Sequence, residues 1–479
     1  MTYVHYERLS ALDASQLALE DRNVHMHIGG VSIFEAAPLQ DAQGALDVER
    51  IERFVLSRLH RLPRYRQRLA ATPLEQHPIW VDDERFNVRY HLRYSSLPKP
   101  AGERELKRLV GRIISEPLDR QKPLWEMWFV EGLEGGRVAV VTKIHHCMVD
   151  GIAGTSLMTA LMRTDPDPTI EPVPAWIPRP NPTTRQLLAD FASRRALLPL
   201  SALRAAAAGL FEPRRAWREV RDTLAGLREM IASQLESASA TPLNVPIGPH
   251  RRLDWCRFDL PALKEVKQRL GGTLNDVVLA LFAAAISRFL SGRGTSVADT
   301  RFRALVPVSL RSAERHEPRL GNRVTFLIAE LPIDERSPVE RLRAVRTTMQ
   351  RLKQSRVAKA TDVLERLLDA TAPSWFARAA RFGAGGNSYN LVVTNVPGPQ
   401  FPTYLLGARQ LETYPFSPLF ANQALTVTVF SYDGQLFWGF NSDWDAVPDL
   451  HDLVLAVQEQ FEAFRKAPPA EPRDEEAVA

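Results

Sequence analysis

The sequence predicts an α/β (α+β) protein built from two α/β halves. Strand-like alternation and helix-like spacing follow one another through the first 164 residues and again from residue 246 onward. A proline-rich run separates the two regions, and such a run cannot form a regular helix or a central strand. The length of 479 residues also fits two domains better than one or four.

The first half is predicted to contain strands, helices and a hairpin. Apolar residues alternate or are β-branched in the strand segments, and they recur at spacings of three and four in the helical segments. In chain order these are a strand at His25–Glu35, a helix at Asp47–Leu59, a strand in FNVRYHLRYSSL, a helix in ERELKRLVGRIIS and a hairpin in PLWEMWFVEGLEGGRVAVVTKIHH. Gly135 and Gly136 predict the turn of that hairpin.

The middle of the chain predicts a connector. Asp165–Pro182 holds seven prolines and should be extended on the surface. Helical segments rich in alanine and arginine follow, up to about Ser239. The predicted divisions are therefore a first domain at 1–164, a proline-rich connector and helical linker at 165–245, a second domain at 246–466, and a disordered acidic tail at 467–479.

The second half returns to strands and helices, with no internal repeat at the residue level. Strands are predicted in LDWCRFDLP, RFRALVPVSLR, RVTFLIAELP and NLVVTNVP, with a hairpin in ALTVTVFSYDGQLFWGFNS that turns at Asp433–Gly434. Helices are predicted in ALKEVKQRLGG, TLNDVVLALFAAAISRFL and DLHDLVLAVQEQFEAFRK, and in further segments up to Phe382.

Charge and cysteine content narrow the class of protein. The chain has 61 Lys and Arg against 56 Asp and Glu, a mild basic bias that permits an anionic membrane surface or a phosphorylated cofactor as partner. Two cysteines without a CxxC pair argue against a disulfide framework or a zinc ribbon. The N-terminus carries charges where a signal peptide needs an apolar core. The longest apolar run, Val277–Ser287, is shorter than the roughly 20 residues of a membrane span.

The stretch IHHCMVDGIAG places two adjacent histidines at the end of a predicted strand. Because side chains alternate across a strand, His145 and His146 should point to opposite faces and have different roles. His146 closes the more apolar row, just where the strand gives way to a loop and then a helix. A ring at the carboxyl end of a strand is a usual place for a site in α/β proteins.

Four interpretations of this stretch compete. The two histidines and Asp150 are metal-ligand types, but adjacent strand residues do not easily converge on one ion. A Cys147–histidine nucleophile pair meets the same difficulty. The histidines could also be buried structural residues. The fourth interpretation makes His146 a general base that takes a proton from an attacking alcohol or amine. Asp150 is then a charge partner or a fastener of the loop, and Gly151 allows its tight turn.

The stretch HHCMVDG resembles the HHxxxDG motif of acyltransferases with the chloramphenicol acetyltransferase-like fold. The motif occurs in bacterial wax ester synthase/diacylglycerol acyltransferases and in condensation domains of nonribosomal peptide synthetases. Other segments resemble the first of these families and appear in its order over nearly the whole chain, namely LSALDASQLALEDRNVHMHIGGVSIFE, PLWEMWFVEGL, GGTLNDVVLALFAAAISRFL, VPVSLRS, LGNRV and TNVPGP. Thr394 stands where that family often has serine.

The resemblance implies two acetyltransferase-like domains, each a mixed sheet flanked by helices, with the active site between them. It implies transfer of a fatty acyl group from acyl-CoA to a diacylglycerol or a long-chain alcohol, with no resident cofactor, metal or nucleic acid. His146 would be the general base, His145 a supporting residue, and Asp150 and Gly151 would shape the loop. Asn275 and Asp276 match the family's Asn-Asp pair and would approach from the second domain, although a plain helix N-terminus also favours such residues. An amide-forming condensation enzyme and a non-catalytic lipid-surface protein are the alternatives.

The helical linker predicts contact with a membrane or with the protein itself. Six apolar residues recur at spacings of three and four after Pro213 and form one stripe, and five arginines lie off that stripe. The apolar residues are Trp217, Val220, Leu224, Leu227, Ile231 and Leu235, and the arginines are Arg214, Arg215, Arg218, Arg221 and Arg228. The stripe could pack on the two domains, or it could lie on anionic lipid at the cytoplasmic face of the membrane or on a lipid inclusion.

Overall fold

The computed structural model describes residues 5–148, 157–196, 236–309, 324–354 and 387–469, together with positions 221, 225 and 228. The strands are β1 Glu7–Arg8, β2 His27–Glu35, β3 Gln67–Ala71, β4 Pro78–Asp82, β5 Leu92–Ser96, β6 Trp125–Leu133, β7 Arg137–His145, β8 Arg251–Asp259, β9 Phe302–Ser309, β10 Val324–Leu331, β11 Leu391–Pro397, β12 Tyr404–Leu405, β13 Ala408–Phe416, β14 Leu425–Tyr432 and β15 Gln435–Asp443. The helices are α1 Ala11–Leu19, α2 Val48–Arg58, α3 Val88–His91, α4 Glu103–Ser115, α5 Leu157–Leu161, α6 Leu260–Leu270, α7 Leu274–Gly292, α8 Pro338–Gln354 and α9 Leu450–Lys466. Short 3₁₀ helices span Ala37–Leu39, Leu59–Arg61, Pro63–Arg66 and His146–Met148.

Two six-stranded mixed sheets form the framework. The first has the order β12-β13-β2-β7-β6-β5 and the second the order β10-β9-β11-β14-β15-β8. Strand β5 runs parallel to β6, and β11 runs parallel to both β9 and β14, whereas the other neighbours are antiparallel. A small third sheet joins β1, β4 and β3. This mixture of sheet and helix confirms the predicted α/β class.

Two strands from the second half of the chain complete the first sheet. The sequence analysis assigned residues 404–416 to the second domain, but β13 pairs antiparallel with β2 and places Phe416 opposite Gly29. Strand β13 also crosses close to β15 of the second sheet, because a Cβ on Gly439 of β15 would lie 1.8 Å from the carbonyl oxygen of Pro415 on β13. Composition cannot reveal such an exchange, since it depends on which strand edge is open elsewhere in the fold.

In the described part of the chain, three large hydrophobic cores lie on the faces of the two six-stranded sheets. We define the first core as the buried apolar residues between the first sheet and α1 and α2, and the second core as those between the second sheet and α7, α8 and α9. A shared core lies between the two sheets around α4. On β7, Val138 and Val140 belong to the first core, and Ala139 and Val141 belong to the shared core. Both faces of β7 are therefore buried, with the predicted alternation.

Helix α7 is a core helix. Its 19 residues are long and apolar enough that, by length and composition alone, the helix could cross a membrane. In the fold most of α7 is buried, and it packs against α8 and α9. Its apolarity is accounted for by these contacts.

Among the described segments for which the sequence predicted a helix or a strand, one differs in type. The predicted strand in FNVRYHLRYSSL begins as the short helix α3, because the Asn87 side chain accepts a 3.0 Å hydrogen bond from the N–H of Arg89 and starts a turn. Only Leu92–Ser96 is a strand. The connector Asp165–Pro182 contains neither helix nor strand, as predicted. A helical stretch follows at 184–196, and most of the predicted linker helix lies outside the described residues.

Candidate active site

His146 lies where the two halves meet. It begins the 3₁₀ helix His146–Met148 directly after β7, at the strand end that the sequence predicts. Its backbone N–H donates a 2.7 Å hydrogen bond to the carbonyl oxygen of Met26, whose side chain is buried in the second core. The next residue, Cys147, is buried in the first core. The His146 side chain is only partly buried and is therefore held at the boundary between the two cores.

The surroundings of His146 favour its neutral form. Burial lowers the pKa of His146 to about 4. A ring with this pKa is unprotonated at neutral pH and can accept a proton.

His145 has a different environment, as strand alternation predicts. Its side chain is fully buried, and its Nδ1 accepts a 3.2 Å hydrogen bond from the backbone N–H of Cys147. Its Nε2 lies 3.5 Å from Oε2 of Glu20. These contacts make His145 part of the support for the turn that carries His146.

The sequence analysis missed Glu20, a buried carboxylate that follows α1. Its Oε1 lies 3.6 Å from Nε2 of His27, and its Oε2 accepts a 2.9 Å hydrogen bond from Nε of Arg120. Burial alone would raise the pKa of Glu20, but its contacts with His145 and Arg120 lower the pKa to about 2. The only sequence signal was the alternation of His25 and His27 in a predicted strand, because Glu20 itself lies far from the motif along the chain.

The structure does not favour Cys147 as a nucleophile. Its side chain is 2% exposed within the first core. Burial raises the pKa of the Cys147 thiol well above its usual range, so the reactive thiolate is disfavoured at neutral pH. The other cysteine, Cys256, is also buried, and the two do not pair.

Asp150 and Gly151 lie outside the described residues. Their predicted roles, as charge partner or fastener and as the glycine of a tight turn, remain predictions. Within the described part of the chain, no group of three or more His, Cys, Asp or Glu side chains is arranged to hold a metal ion.

Asn275 and Asp276 lie in the first turn of α7, and their side chains make different contacts. Asp276 forms a capping box, because its Oδ2 accepts 2.8 Å hydrogen bonds from both the N–H and the hydroxyl of Thr273. The helix N-terminus interpretation therefore describes Asp276. The side-chain oxygen of Asn275 instead accepts a 3.3 Å hydrogen bond from the amide of Asn395 in the TNVPGP segment. Two segments that carried the resemblance are thus joined in space.

A row of polar side chains in the second half leads toward the histidine pair. The Thr394 hydroxyl lies 3.5 Å from that of Ser417, which lies 2.6 Å from that of Thr428. Ser417 directly follows Phe416, which pairs with Gly29 on β2. Strand β2 begins beside β7, since its His27 pairs with His145. The sequence analysis did not identify Ser417 or Thr428, because their proximity to this strand end depends on the crossing of β13.

Two facing α/β halves, with a neutral histidine at a strand end between them, define a two-domain acyltransferase with a condensation-like fold. The chain belongs to the wax ester synthase/diacylglycerol acyltransferase family. Residues 9–278 match the catalytic domain of that family, and residues 320–465 match its C-terminal domain. This protein is therefore an acyltransferase of lipid biosynthesis.

Relatives in Mycobacterium tuberculosis are similar over almost the whole chain. One carries the name of a diacylglycerol O-acyltransferase and is 34% identical over 456 residues, which cover 93% of this chain and 87% of the relative. A second with the same type of name is 32% identical over 459 residues and covers 94% of each chain.

Solved structures show the same fold. The wax ester synthase/diacylglycerol acyltransferase of Marinobacter aquaeolei VT8 is 25% identical, with a TM-score of 0.64 over 95% of this chain and 98% of that one. The first condensation domain of the calcium-dependent antibiotic synthetase has a TM-score of 0.56 over 97% of both chains at 18% identity, a likeness of fold alone. The predicted pair of facing α/β domains is confirmed.

Proposed function

We propose that this acyltransferase moves a fatty acyl group from acyl-CoA onto the hydroxyl of a diacylglycerol, a long-chain alcohol, or both. The single observation that carries the proposal is the position and state of His146, a neutral ring at the boundary of the two cores. The choice of acceptor is supported by the names of the mycobacterial relatives and of the Marinobacter protein.

His146 acts as the general base in this proposal. The ring takes the hydroxyl proton as the acceptor oxygen attacks the thioester carbonyl, because an alcohol is a poor nucleophile at neutral pH until that proton leaves. A new C–O bond forms and the carbonyl oxygen takes up negative charge. When the tetrahedral intermediate collapses, the C–S bond breaks and the imidazolium returns its proton to the leaving thiolate. The step needs no covalent acyl-enzyme.

The oxyanion requires a hydrogen-bond donor, and Asn275 is the side chain that we assign to it. The N–H of Cys147, the first backbone donor after His146, is already bound to Nδ1 of His145. Asn275 uses its side-chain oxygen to accept from Asn395, so its own amide N–H groups remain to donate. A donor placed where charge develops is worth most in the transition state.

The proposed reaction also places the protein at a lipid surface. Diacylglycerols and long-chain alcohols are insoluble, so we propose peripheral association with the cytoplasmic face of the membrane or with lipid inclusions. The mild basic bias of the chain supports this, and so do the exposed arginines at helical positions 221 and 228.

One assay tests the substrates directly. Purified protein is incubated with labelled palmitoyl-CoA and either dioleoylglycerol or hexadecanol, and the products are separated by chromatography. We expect labelled triacylglycerol, wax ester, or both, with stoichiometric release of CoA. Transfer only to an amine acceptor would support the condensation alternative. Lipid binding without transfer to any acceptor would support the alternative of a non-catalytic lipid-surface protein.

A further inference from the structure

We propose that Glu20 is a positioning residue, which selects the tautomer of His145 and thereby holds the turn that presents His146. The role in catalysis rests on the proposed function of His146 as base. The contact between Glu20 and His145 stands on the geometry alone.

The Glu20 side chain is held in place by Arg120. Arg120 donates from Nε to Oε2 of Glu20 at 2.9 Å, and its terminal nitrogen Nη2 donates to the carbonyl oxygen of Leu17 at 2.9 Å. The guanidinium therefore ties the carboxylate to the end of α1. Since His27 and His145 are paired neighbours on β2 and β7, one carboxylate can face both rings, at 3.6 Å and 3.5 Å.

The hydrogen bond on the far side of the His145 ring decides where its proton must be. Nδ1 accepts from the N–H of Cys147, so Nδ1 must carry a lone pair and the proton must sit on Nε2. Nε2 is buried, and within the described residues no hydrogen bond of ordinary length reaches it. The Glu20 carboxylate at 3.5 Å is the negative charge that stabilises a proton at this position.

The selected tautomer fixes two consecutive backbone amides. The N–H of His146 is held by Met26 at 2.7 Å, and the N–H of Cys147 is held by His145 at 3.2 Å. If the proton of His145 moved to Nδ1, the second of these bonds would be lost and the turn could rotate about the first. Misplacement of a catalytic group by about 1 Å can cost about 10²-fold in rate. Loss of Glu20 should therefore act on kcat rather than on substrate binding.

A matched pair of variants tests the role of Glu20. The side chain of Glu20 is 9% exposed and paired with Arg120, and that of Glu52 is 10% exposed and paired with Arg89 at 3.0 Å. Both substitutions, Glu20→Gln and Glu52→Gln, remove one buried negative charge beside an arginine. We expect Glu20→Gln to lower kcat at least about tenfold with KM changed less than about twofold, and Glu52→Gln to retain nearly full kcat. Equal kcat values for the two variants would overturn the proposal.

A double substitution tests whether Glu20 acts through His145. In His145→Asn the amide oxygen can replace Nδ1 and accept from the N–H of Cys147 without help from a carboxylate. We expect this variant to be more active than His145→Ala, and we expect Glu20→Gln to cause no further loss in the His145→Asn background. A full additional loss in that background would show that Glu20 acts by another route and would reject the proposal.

The tautomer itself can be measured in the unaltered protein, so the test survives if a variant fails to fold. Side-chain ¹⁵N spectra of histidine-labelled protein, with the His145 signal assigned from its contact with the N–H of Cys147, should show Nδ1 unprotonated and Nε2 protonated at neutral pH. A proton on Nδ1, or a charged ring, would contradict the proposal. The spectrum does not depend on turnover, so inactivity of the wild-type protein toward every acceptor would count against the proposed function and not against the Glu20–His145 contact.

Discussion

The backbone N–H of His146 bonds to the carbonyl oxygen of Met26, and Met26 belongs to the hydrophobic core of the opposite half of the protein. The neighbouring Cys147 is buried in the core of the first half. The position of the ring is thus set by both halves at once. Any change that shifts one half against the other should alter the geometry of the base before it unfolds either half.

Removal of the base should abolish turnover and leave the fold intact. His146→Ala is expected to lower acyl transfer about 10²–10⁴-fold, the usual cost of losing a general base. The ring is only partly buried, so thermal unfolding should change little. His145→Ala should lower activity less than His146→Ala, and Cys147→Ala should lower it least. Loss of the buried Cys147 thiol should nevertheless lower the free energy of unfolding by about 1 kcal/mol. An inactive Cys147 variant beside an active His146 variant would contradict the assignment.

The acid limb of the pH–rate profile should lie well below the usual range for histidine. Burial holds the pKa of His146 at about 4, so the neutral base persists until the pH approaches that value. In the folded protein His146 binds a proton less readily than in the unfolded chain, so its contribution to stability is lost as the pH falls from about 6.5 to about 4. Measurements of kcat/KM should therefore be paired with circular dichroism at each pH. A limb centred near 6.5 in folded protein would contradict this prediction.

The crossing of β13 over β15 should tolerate no side chain at Gly439. A Cβ there would lie 1.8 Å from the carbonyl oxygen of Pro415. Because the clash is with a backbone atom, it could be relieved only by a shift of one of the two strands. Gly439→Ala should lower the free energy of unfolding by at least about 2 kcal/mol, measured by chemical denaturation. Gly292→Ala is the control, because a Cβ at Gly292 meets nothing within 4 Å. Equal stabilities would mean that the crossing is not as close as described.

The first turn of α7 should separate activity from stability. Asn275→Ala should lower kcat about 10²-fold or more if its amide donates to the oxyanion, with little change in thermal unfolding. Thr273→Ala removes the capping hydroxyl and should cost about 1 kcal/mol of stability while most turnover is retained. Full turnover by the Asn275 variant would show that a group other than Asn275 donates the hydrogen bond to the oxyanion.

Membrane association should depend on the linker arginines. Changing Arg215, Arg221 and Arg228 to Gln should weaken flotation with anionic liposomes at low salt, since each basic residue near such a surface adds about 1 kcal/mol. The control changes three exposed arginines of α4 to Gln, namely Arg104, Arg108 and Arg112. Flotation of wild-type protein should also weaken at high salt. If the wild-type protein binds under neither condition, only packing remains as a role for the linker helix.

Much of the secondary structure could be predicted because its causes are local. The hairpin turns occur at Gly135–Gly136 and at Asp433–Gly434, where positive φ angles favour such residues. Alternation along β7 correctly predicted that successive side chains lie on opposite faces, and the structure adds that the two faces are buried in different cores. The prediction failed at Val88–His91, where a single capping bond from Asn87 outweighs a strand-like pattern.

The candidate site was predicted only in part. The motif identified His145 and His146, and strand alternation indicated that they differ. Asn275 was named from the resemblance, but its bond to Asn395 could not be read from spacing. Glu20 was missed because a glutamate after a helix is an ordinary surface pattern, and only burial beside two histidines makes it unusual.

The sequence by itself determined the class of fold, the order of most elements, the strand end that carries His146 and the family to which the chain belongs. The class of fold, the order of elements and the strand end depend on periodicity and turn chemistry, which act over a few residues, and the family depends on the resemblance of several sequence motifs. The tertiary structure decided that β13 completes the first sheet, that Ser32 meets Thr413 at a separation of 381 positions, and that Glu20 faces His145. Contacts of this kind depend on which strand edges and buried faces remain open after local structure has formed, and no local pattern encodes that choice.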